Sequence, residues 1–302
     1  MHRNLRTCAA IFAGIVLASC GTTRTATTQA PRYTYTPPPI ERWHTNYAEM
    51  SLFADSASPV TDAKVQDFAA LTGKQPMFWG RYVCHNNAAY NLTADELGVF
   101  ARTSVQPILI LQPGQATLSG GEGDADSAAD CVEMQLASLK NAATYAFPVD
   151  LMIVLDVENN TQLSADYLRA LVNRLQSDGV LSGGARFGIY LSGAYSQETR
   201  AVIQDEVRGG LPISVLWFAR YVDTSDCGPL PYWVESDTDA LGSVSVPTEM
   251  WQYAVECHRY GGESDGAFDL NAAKPPVYPW TGTDRVSRIE TPAAGEKPAY
   301  AR

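Results

Sequence analysis

The sequence predicts one α/β domain, an irregular TIM-like (β/α) barrel that occupies residues 46–275. Two observations predict it. Short continuous apolar runs such as Pro107–Leu111 and Leu151–Leu155 alternate with segments of helical spacing such as Leu163–Asp178. Continuous apolar runs are typical of parallel strands that helices cover on both faces. Seven or eight such units fit a closed barrel, and no glycine-rich phosphate loop follows the first strand to indicate a doubly wound fold.

The predicted elements follow one another along this range. The strands are expected at Met50–Ala54, Pro76–Val83, Pro107–Leu111, Leu151–Leu155, Phe187–Leu191, Ile213–Ala219 and Thr248–Ala254. The helices are expected at Asp62–Leu71, from Thr93 onward, from about Ser127 to Thr144, at Leu163–Asp178 and near Gln197–Val207. Thr93 and Glu96 have the spacing of a capping box. The Gly/Asp-rich segment Gly114–Asp126 is expected to be a loop. Helical segments become rare after Ile213, so we expect an irregular closing part.

The first residues predict export. A basic start with Arg3 and Arg6 leads into an apolar run that is too short to span a bilayer, which is typical of a signal peptide. The run ends in Leu17-Ala18-Ser19-Cys20, which resembles a bacterial lipobox and implies cleavage after Ser19 and acylation of Cys20. An ordinary secretory signal with a chance cysteine is the alternative.

This predicted anchor determines the expected location. Residues 1–19 are the signal peptide, residues 20–45 a lipidated, Thr/Pro-rich tether, and residues 276–302 a disordered tail. Acyl chains on Cys20 would hold the domain on the periplasmic side of a membrane in the cell envelope. Gly21 follows Cys20 where an inner-membrane retention signal would have aspartate, so the outer membrane is favoured over the inner.

The net charge argues against some partners. Without Arg3 and Arg6, 22 basic residues become 20, and against 33 acidic residues the mature net charge is −13. An acidic domain argues against nucleic acid as a partner and against a large basic lipid-binding face.

Four cysteines remain after Cys8 is removed and Cys20 is acylated. An even number in an oxidising compartment predicts two disulfides, for which three pairings are possible. We favour Cys84–Cys131 and Cys227–Cys257, because each pair joins neighbouring segments of chain. None of these cysteines has the C-x2–4-C spacing of a zinc site, and we expect neither a metal nor a cofactor.

Two acids follow the apolar run Leu151–Leu155 directly. Asp156 and Glu158 stand two residues apart, so on a strand they share a face. In a parallel barrel the carboxyl end of a strand opens into the active-site mouth. There one coupled carboxyl stays ionised while a partly desolvated one keeps its proton, which is the division that glycosidic cleavage needs. Asp55 ends the first predicted strand in the same way. Turn or cap residues are the open alternative for all three.

Six motifs in order resemble glycoside hydrolase family 25, the lysozymes that cut peptidoglycan between muramic acid and glucosamine. They are Phe53-Ala54-Asp55-Ser56, Leu155-Asp156-Val157-Glu158, Phe187-Gly188-Ile189-Tyr190, Leu216-Trp217-Phe218-Ala219-Arg220-Tyr221, Trp251-Gln252-Tyr253 and Phe268-Asp269-Leu270-Asn271. Phe78–Val83, followed by Leu92-Thr93 and Glu96, resembles a sister group, the glycoside-hydrolase-like domain of secreted bacterial proteins. The resemblance extends from about Leu52 to Asn271, and the order and spacing of the motifs carry it.

The resemblance implies an irregular barrel and a role for each matched acid. Glu158 would be the general acid. Asp156 would orient the N-acetyl group of the substrate for neighbouring-group attack, or act as the second carboxylate, and Asp55 would line the same pocket. Four further side chains would lie around the sugar: Tyr190, Trp217, Gln252 and Asp269.

Arg81 lies in an otherwise apolar predicted strand, where an unpaired charge would be costly. We therefore expect it to pair with an acid of the pocket and to contribute to substrate binding. Trp217 and Trp251 suit core packing and a sugar platform equally. The Gly114–Asp126 loop is unusual for lysozymes and could cover or reshape the cleft.

The favoured function is a muramidase-type hydrolase of peptidoglycan. The alternative is a non-catalytic envelope lipoprotein that binds peptidoglycan or a related glycan through an aromatic cleft. A third hypothesis, an envelope scaffold, has no specific sequence feature in its favour.

Overall fold

A computed structural model describes residues 50–142, 145–146, 151–158, 161–181, 186–192, 197–221, 227, 246, 248–258, 266–273 and 287–288. All of them belong to one compact unit, Pro39–Arg302. The predicted signal peptide, Cys20 and the tether over residues 20–45 lie outside the described residues. Within the described part of the chain, no helix is both long and apolar enough to cross a membrane.

Eight strands close a barrel in the order β1-β2-β3-β5-β6-β7-β8-β9. The strands of the structure are β1 (Ser51–Asp55), β2 (Phe78–Val83), β3 (Gln106–Leu111), β4 (Tyr145–Ala146), β5 (Met152–Val157), β6 (Arg186–Leu191), β7 (Ile213–Ala219), β8 (Thr248–Cys257), β9 (Phe268–Ala273) and β10 (Ser287–Arg288). The helices are α1 (Asp62–Thr72), α2 (Ala94–Thr103), α3 (Glu122–Ala142), α4 (Ala165–Ser177) and α5 (Gln197–Arg208). The predicted α/β barrel is therefore confirmed.

The irregularity of the barrel lies at its closure. Neighbouring strands from β1 to β8 are parallel, whereas β9 is antiparallel to both β8 and β1. Strand β9 was not among the predicted strands. Its inward residues Asp269 and Asn271 are polar, so it lacks the continuous apolar run by which the other strands were identified.

Alternate residues of each strand face two different apolar layers. The outward residues pack with the helices in one large cluster, which includes Trp79, Leu155 and Trp251. The inward residues form a separate core inside the barrel, with Phe53, Phe78, Ile108, Ile110, Met152, Val154, Val215, Trp217 and Met250. This inner core fills the interior of the barrel with apolar side chains.

The segment predicted as a Gly/Asp-rich loop is largely helical. A 3-10 turn covers Gln115–Ser119, and α3 begins at Glu122 rather than near Ser127. Glu122 and Asp124 lie in the first turn of α3, where negative charge interacts favourably with the helix dipole. The face that α3 buries there consists of alanines, including Ala125 and Ala128. Alanine gives a weak amphipathic signal, which explains why the start of α3 was placed too late.

The carboxyl-terminal segment predicted as disordered contains one element. Ser287–Arg288 form β10 and pair antiparallel with β4. The rest of residues 276–302 lies outside the described residues.

Both favoured disulfides are present. Cys84–Cys131 joins the residue after β2 to α3 with a Cα–Cα distance of 6.0 Å. Cys227–Cys257 joins Cys227 to the end of β8 with a Cα–Cα distance of 5.5 Å. The first disulfide fixes the start of the segment that follows β2.

Candidate active site

Acids from three strands meet at one end of the barrel. Asp55 ends β1, and Asp156 lies on β5, with Glu158 directly after that strand. Asp269 belongs to β9, which runs the other way, so the first residues of β9 lie at this same end. Asp269 and Asp55 are direct partners in the register of the two strands.

These acids line an open pocket with about 390 Å³ of empty space. Its lining residues are Asp55, Tyr82, Ile110, Asp156, Glu158, Tyr190, Trp217, Tyr221, Gln252 and Asp269.

Two amide side chains orient Asp55. Its Oδ2 accepts hydrogen bonds from Asn271 Nδ2 at 2.8 Å and from Gln252 Nε2 at 3.3 Å. The amides are oriented in turn, because Trp217 donates to Asn271 Oδ1 and the Tyr190 hydroxyl donates to Gln252 Oε1. Burial and the charge of Asp269 raise the pKa of Asp55 well above its usual range, and the two amides only partly offset this.

Asp269 is held by the same glutamine and by the backbone of β8. Its Oδ2 accepts from Gln252 Nε2 at 2.7 Å, and its Oδ1 accepts from the Glu256 N–H at 2.8 Å. Glu256 has a φ of 53°, and the register with β9 shifts between Ala254 and Cys257, so a bulge turns this N–H toward the acid. Burial raises the pKa of Asp269 to about 6.

Asp156 is almost completely buried, at 1% exposed. Its Oδ2 accepts from Gln112 Nε2 at 2.6 Å, whereas its Oδ1 has no hydrogen-bond partner among the described residues. Burial and the charge of Glu158 raise the pKa of Asp156 well above its usual range. Oδ1 is therefore a buried acceptor that the described residues leave unused.

Glu158 is half-buried and lies nearer to solvent than Asp156. Burial raises the pKa of Glu158, and His85 partly offsets the rise. Gln115 supports the backbone on which both acids stand. Its Nε2 donates to the carbonyl oxygen of Asp156 at 3.0 Å, and its Oε1 accepts from the Glu158 N–H at 3.0 Å.

The arrangement suits proton transfer in a partly dry pocket. The pKa values of all four acids are raised, so fewer of them are ionised near neutral pH than in water. The most exposed acid, Glu158, is placed to exchange its proton with a bound molecule. Burial also raises the pKa values of Tyr82 and Tyr190, so both phenols stay neutral and can donate hydrogen bonds.

The structure brings together seven of the eight predicted side chains. Asp55, Asp156 and Glu158 share the pocket with the predicted sugar contacts Tyr190, Trp217, Gln252 and Asp269. Trp217 packs inside the barrel and forms a pocket wall, so the expected core packing is confirmed, and its role as a sugar platform stays a prediction. Trp251 belongs to the outer layer, where its indole N–H donates to the carbonyl oxygen of Arg220.

The prediction that Arg81 pairs with a pocket acid and binds substrate is wrong. Arg81 is 0% exposed and faces the helix layer, where its guanidinium pairs with Glu96 of α2 and donates to the carbonyl oxygens of Ser56 and Ala57. The inward positions of β2 belong to its neighbours Gly80 and Tyr82. Both faces of β2 are buried, so the sequence had no signal for the direction of the arginine.

Several contributing residues were not singled out from the sequence, namely Tyr82, Gln112, Gln115, Tyr221 and Asn271. Gln112 follows the apolar run of β3 just as Asp156 follows that of β5, so the same pattern could have identified it. Asn271 stands two residues after Asp269 and therefore shares its face. Gln115 reaches the site through the 3-10 turn, for which the sequence had no clear signal.

No family model and no curated protein matches the chain. Solved structures do match it. An uncharacterized protein from B. stearothermophilus aligns with a TM-score of 0.54 and 20% identity, over 74% of this chain and 96% of that one. The modular autolysin LytC from Streptococcus pneumoniae follows with a TM-score of 0.47 and 13% identity, over 77% and 50%. GHIP, a glycosyl hydrolase 25 of the same organism, has a TM-score of 0.44 and 14% identity, over 74% and 87%. At 20% identity, the likeness to the B. stearothermophilus protein is one of fold alone.

Proposed function

We propose that the chain is a glycoside hydrolase that cleaves β-1,4 bonds of peptidoglycan beside an N-acetylated sugar. The observation that carries the proposal is the pair Asp156 and Glu158. They share one strand face at an open pocket, one buried with an unpartnered oxygen and the other half-buried. The pKa of each is raised, so a proton is available to a leaving group without acid solution.

Each acid has a distinct part in the reaction. Glu158 donates its proton to the glycosidic oxygen as the bond from that oxygen to C1 breaks. Asp156 Oδ1 accepts the N–H of the substrate's acetamido group, and the acetamido carbonyl oxygen attacks C1 to form a cyclic intermediate. Water then attacks C1 and gives its proton to the Glu158 carboxylate, which restores the enzyme. The burial of Asp156 favours this orienting role over direct covalent attack.

The remaining acids set the electrostatics of the pocket. Asp55 and Asp269 are held by Gln252, and the charge of each disfavours ionisation of its neighbours. We propose that this coupled group keeps negative charge beneath the sugar, where it stabilises the positive charge that develops at C1.

The test is cleavage of purified peptidoglycan by the wild-type chain and by Glu158→Gln. New reducing ends are expected from the wild type, and at least a 100-fold lower rate from the variant, because general acid catalysis contributes about 10²–10⁴-fold. Reduction of the products with borohydride followed by acid hydrolysis identifies the sugar at the new end. Muramitol supports the muramidase assignment, whereas glucosaminitol contradicts it. Equal melting temperatures of the two proteins show that the variant is folded.

Two results would reject the hydrolase. One is the absence of new reducing ends with the wild type, and the other is undiminished cleavage by Glu158→Gln. Co-sedimentation with insoluble peptidoglycan without cleavage would instead support the non-catalytic binding protein. The acetamido step has its own test: de-N-acetylated peptidoglycan should be cut at least 100-fold more slowly than the acetylated form, and equal rates contradict the role of Asp156.

We also propose that Cys20 is acylated and anchors the chain to the periplasmic side of the envelope, with the outer membrane favoured. The lipobox-like sequence supports this. Metabolic labelling with palmitate should mark the wild type and Cys8→Ser, which keeps Cys20, but not Cys20→Ser. Labelling of Cys20→Ser contradicts the anchor, and recovery of the labelled protein with inner-membrane fractions contradicts the outer-membrane assignment.

A further inference from the structure

Three aromatic side chains continue the wall of the pocket outward along one side. We call Tyr82, His85 and Tyr90 the rim aromatics. Tyr82 lines the pocket, its ring centroid lies 5.1 Å from that of His85, and the ring of His85 lies 4.9 Å from that of Tyr90. Tyr90 is 38% exposed. The rim aromatics therefore form a continuous surface from the acids to solvent.

The exposure of Tyr90 is informative because of its position. Among the described large apolar side chains that are strongly exposed, the two aromatic ones are Tyr90 and Tyr221, at 38% and 47%. Tyr221 lines the pocket itself, and Tyr90 is joined to the pocket through His85 and Tyr82. Isolated exposed aromatics need no explanation, but exposed rings on both sides of one acidic pocket indicate a ligand with apolar faces.

The loop that carries these rings is held in place before any ligand arrives. It begins at Cys84, which has a φ of 57°, is bonded to Cys131 and donates its N–H to Gln135 Oε1 at 2.7 Å. It ends at Asn91, whose Oδ1 accepts from the His85 N–H at 2.8 Å. A preorganised loop loses little conformational entropy when it binds a ligand.

His85 connects this surface with Glu158, the proposed general acid. Its Nδ1 accepts from the Asn87 N–H at 2.8 Å, so the ring proton lies on Nε2 and can be donated. His85 also interacts electrostatically with Glu158. A general acid lies beside the leaving oxygen, so a surface that approaches Glu158 through His85 is within reach of the leaving group.

We propose that the rim aromatics form a further subsite, which binds the hexose on the leaving-group side of the bond that Glu158 protonates. The apolar C–H face of the hexose packs on Tyr90, and the Nε2–H of His85 donates to one of its hydroxyls. Flat rings with a polar edge suit such a ligand, which has apolar faces and a polar perimeter. The inference rests on the proposed hydrolase function.

The kinetic experiment compares two substrates that differ only on this side. Tyr90→Ala should raise KM for peptidoglycan glycan about 10-fold, the factor that 1.4 kcal/mol of lost stacking represents. Its kcat/KM on the β-fluoride of N-acetylglucosaminyl-β-1,4-N-acetylmuramic acid should stay within about 2-fold of the wild type, because a single fluorine cannot reach Tyr90. Tyr90→Phe keeps the ring and should behave as the wild type. Met134→Ala removes an exposed apolar side chain from α3 and is the matched control.

A binding experiment separates failure of the subsite from failure of the hydrolase. Glu158→Gln is titrated calorimetrically with the β-1,4-linked tetramer of N-acetylglucosamine, with and without Tyr90→Ala. A Kd raised about 10-fold by Tyr90→Ala supports the subsite even if the wild type cuts nothing. A change below 2-fold, no measurable binding of the tetramer, or equal loss of activity on the glycan and the fluoride overturns it.

Discussion

Buried charges lie on both sides of the barrel wall, and the two sides treat them differently. On the outer side, Glu96 is 2% exposed and Arg81 0%. Glu96 Oε1 accepts from Arg81 Nε at 2.5 Å and from the Val60 N–H at 2.9 Å, and its Oε2 accepts from the Thr93 N–H at 2.9 Å. This pair links β2, the start of α2 and the chain after β1, and each charge has a partner of opposite sign.

On the inner side, the acids of the pocket are close to one another instead. In the part of the chain that the structure describes, the groups that stabilise their charged forms are amides, one backbone N–H and the imidazole of His85. Their pKa values are raised as a result. The outer pair therefore has a structural role. The inner acids weaken the fold near neutral pH, so their presence is explained by the chemistry of the pocket.

The largest expected effect is on the outer pair. Glu96→Ala should lower the free energy of unfolding by about 3–5 kcal/mol, because it leaves the buried guanidinium of Arg81 without its counter-charge. Denaturant titration measures this loss. Asp62→Ala removes the acid of the exposed pair with Arg102, whose side chains are 50% and 55% exposed, and should cost at most about 1 kcal/mol. Equal losses from the two variants would remove the distinction between a structural pair and a surface pair.

The second effect concerns the support of the inner acids. Gln115→Ala should lower kcat on peptidoglycan about 100-fold with little change in KM, because a small displacement of the acid is enough to misplace the proton. Gln115→Glu keeps the acceptor for the Glu158 N–H and should lose less. Ser119→Ala, which removes an exposed hydrogen bond in the same 3-10 turn, is the control. A rise in KM without a fall in kcat would show that Gln115 contacts substrate instead.

The third effect tests how tightly the inner face is packed. A Cβ at Gly80 would lie 2.7 Å from Asp55 Cβ and 2.9 Å from Ile110 Cδ1. Gly80→Ala should therefore destabilise the fold by about 1–3 kcal/mol and reduce cleavage by displacing Asp55. Gly123→Ala in α3 meets nothing within 4 Å and should stabilise the fold by about 0.5–1 kcal/mol. Thermal unfolding measures the stability of both variants. An unchanged melting temperature for Gly80→Ala would show that the inner layer rearranges to accept the methyl group.

The smallest effect is the pH dependence of stability. Because the folded state raises the pKa of Asp55, its contribution is fully present below the ordinary value of 3.8 and is lost as the pH rises through the folded value. Asp269, with a folded pKa of about 6, extends the same trend across that range. In Asp55→Asn, the side-chain carbonyl can still accept from Asn271, and the amide has no charge to lose or gain. Asp55→Asn should therefore melt about 2–4 °C above the wild type at pH 8, which corresponds to about 1 kcal/mol.

Two measurements complete this test. The advantage of Asp55→Asn should shrink toward pH 4, and the exposed substitution Asp62→Asn should show no such trend. A variant that melts below the wild type at every pH would mean that the carboxylate of Asp55 stabilises the pocket, against the sign expected from its burial.

Local pattern was enough to predict most of the barrel and part of the site. Continuous apolar runs identified seven strands, and the two-residue period of a strand placed Asp156 and Glu158 on one face. The same reasoning missed β9, because its alternating polar residues belong to the pocket. It also misjudged Arg81, since β2 is buried on both faces and neither face is distinguished by polarity.

The sequence by itself determined the strand–helix alternation and the pair of acids after β5, because each depends on residues close together in the chain. It favoured the two disulfides without excluding the other pairings. Only the tertiary structure decided which acids meet, that Gln115 braces them, that Arg81 faces the helices and that Tyr90 lies in line with the pocket. These features depend on the closure of the barrel, which brings Asp55 and Asn271 together from 216 residues apart, and short-range spacing contains no information about such contacts.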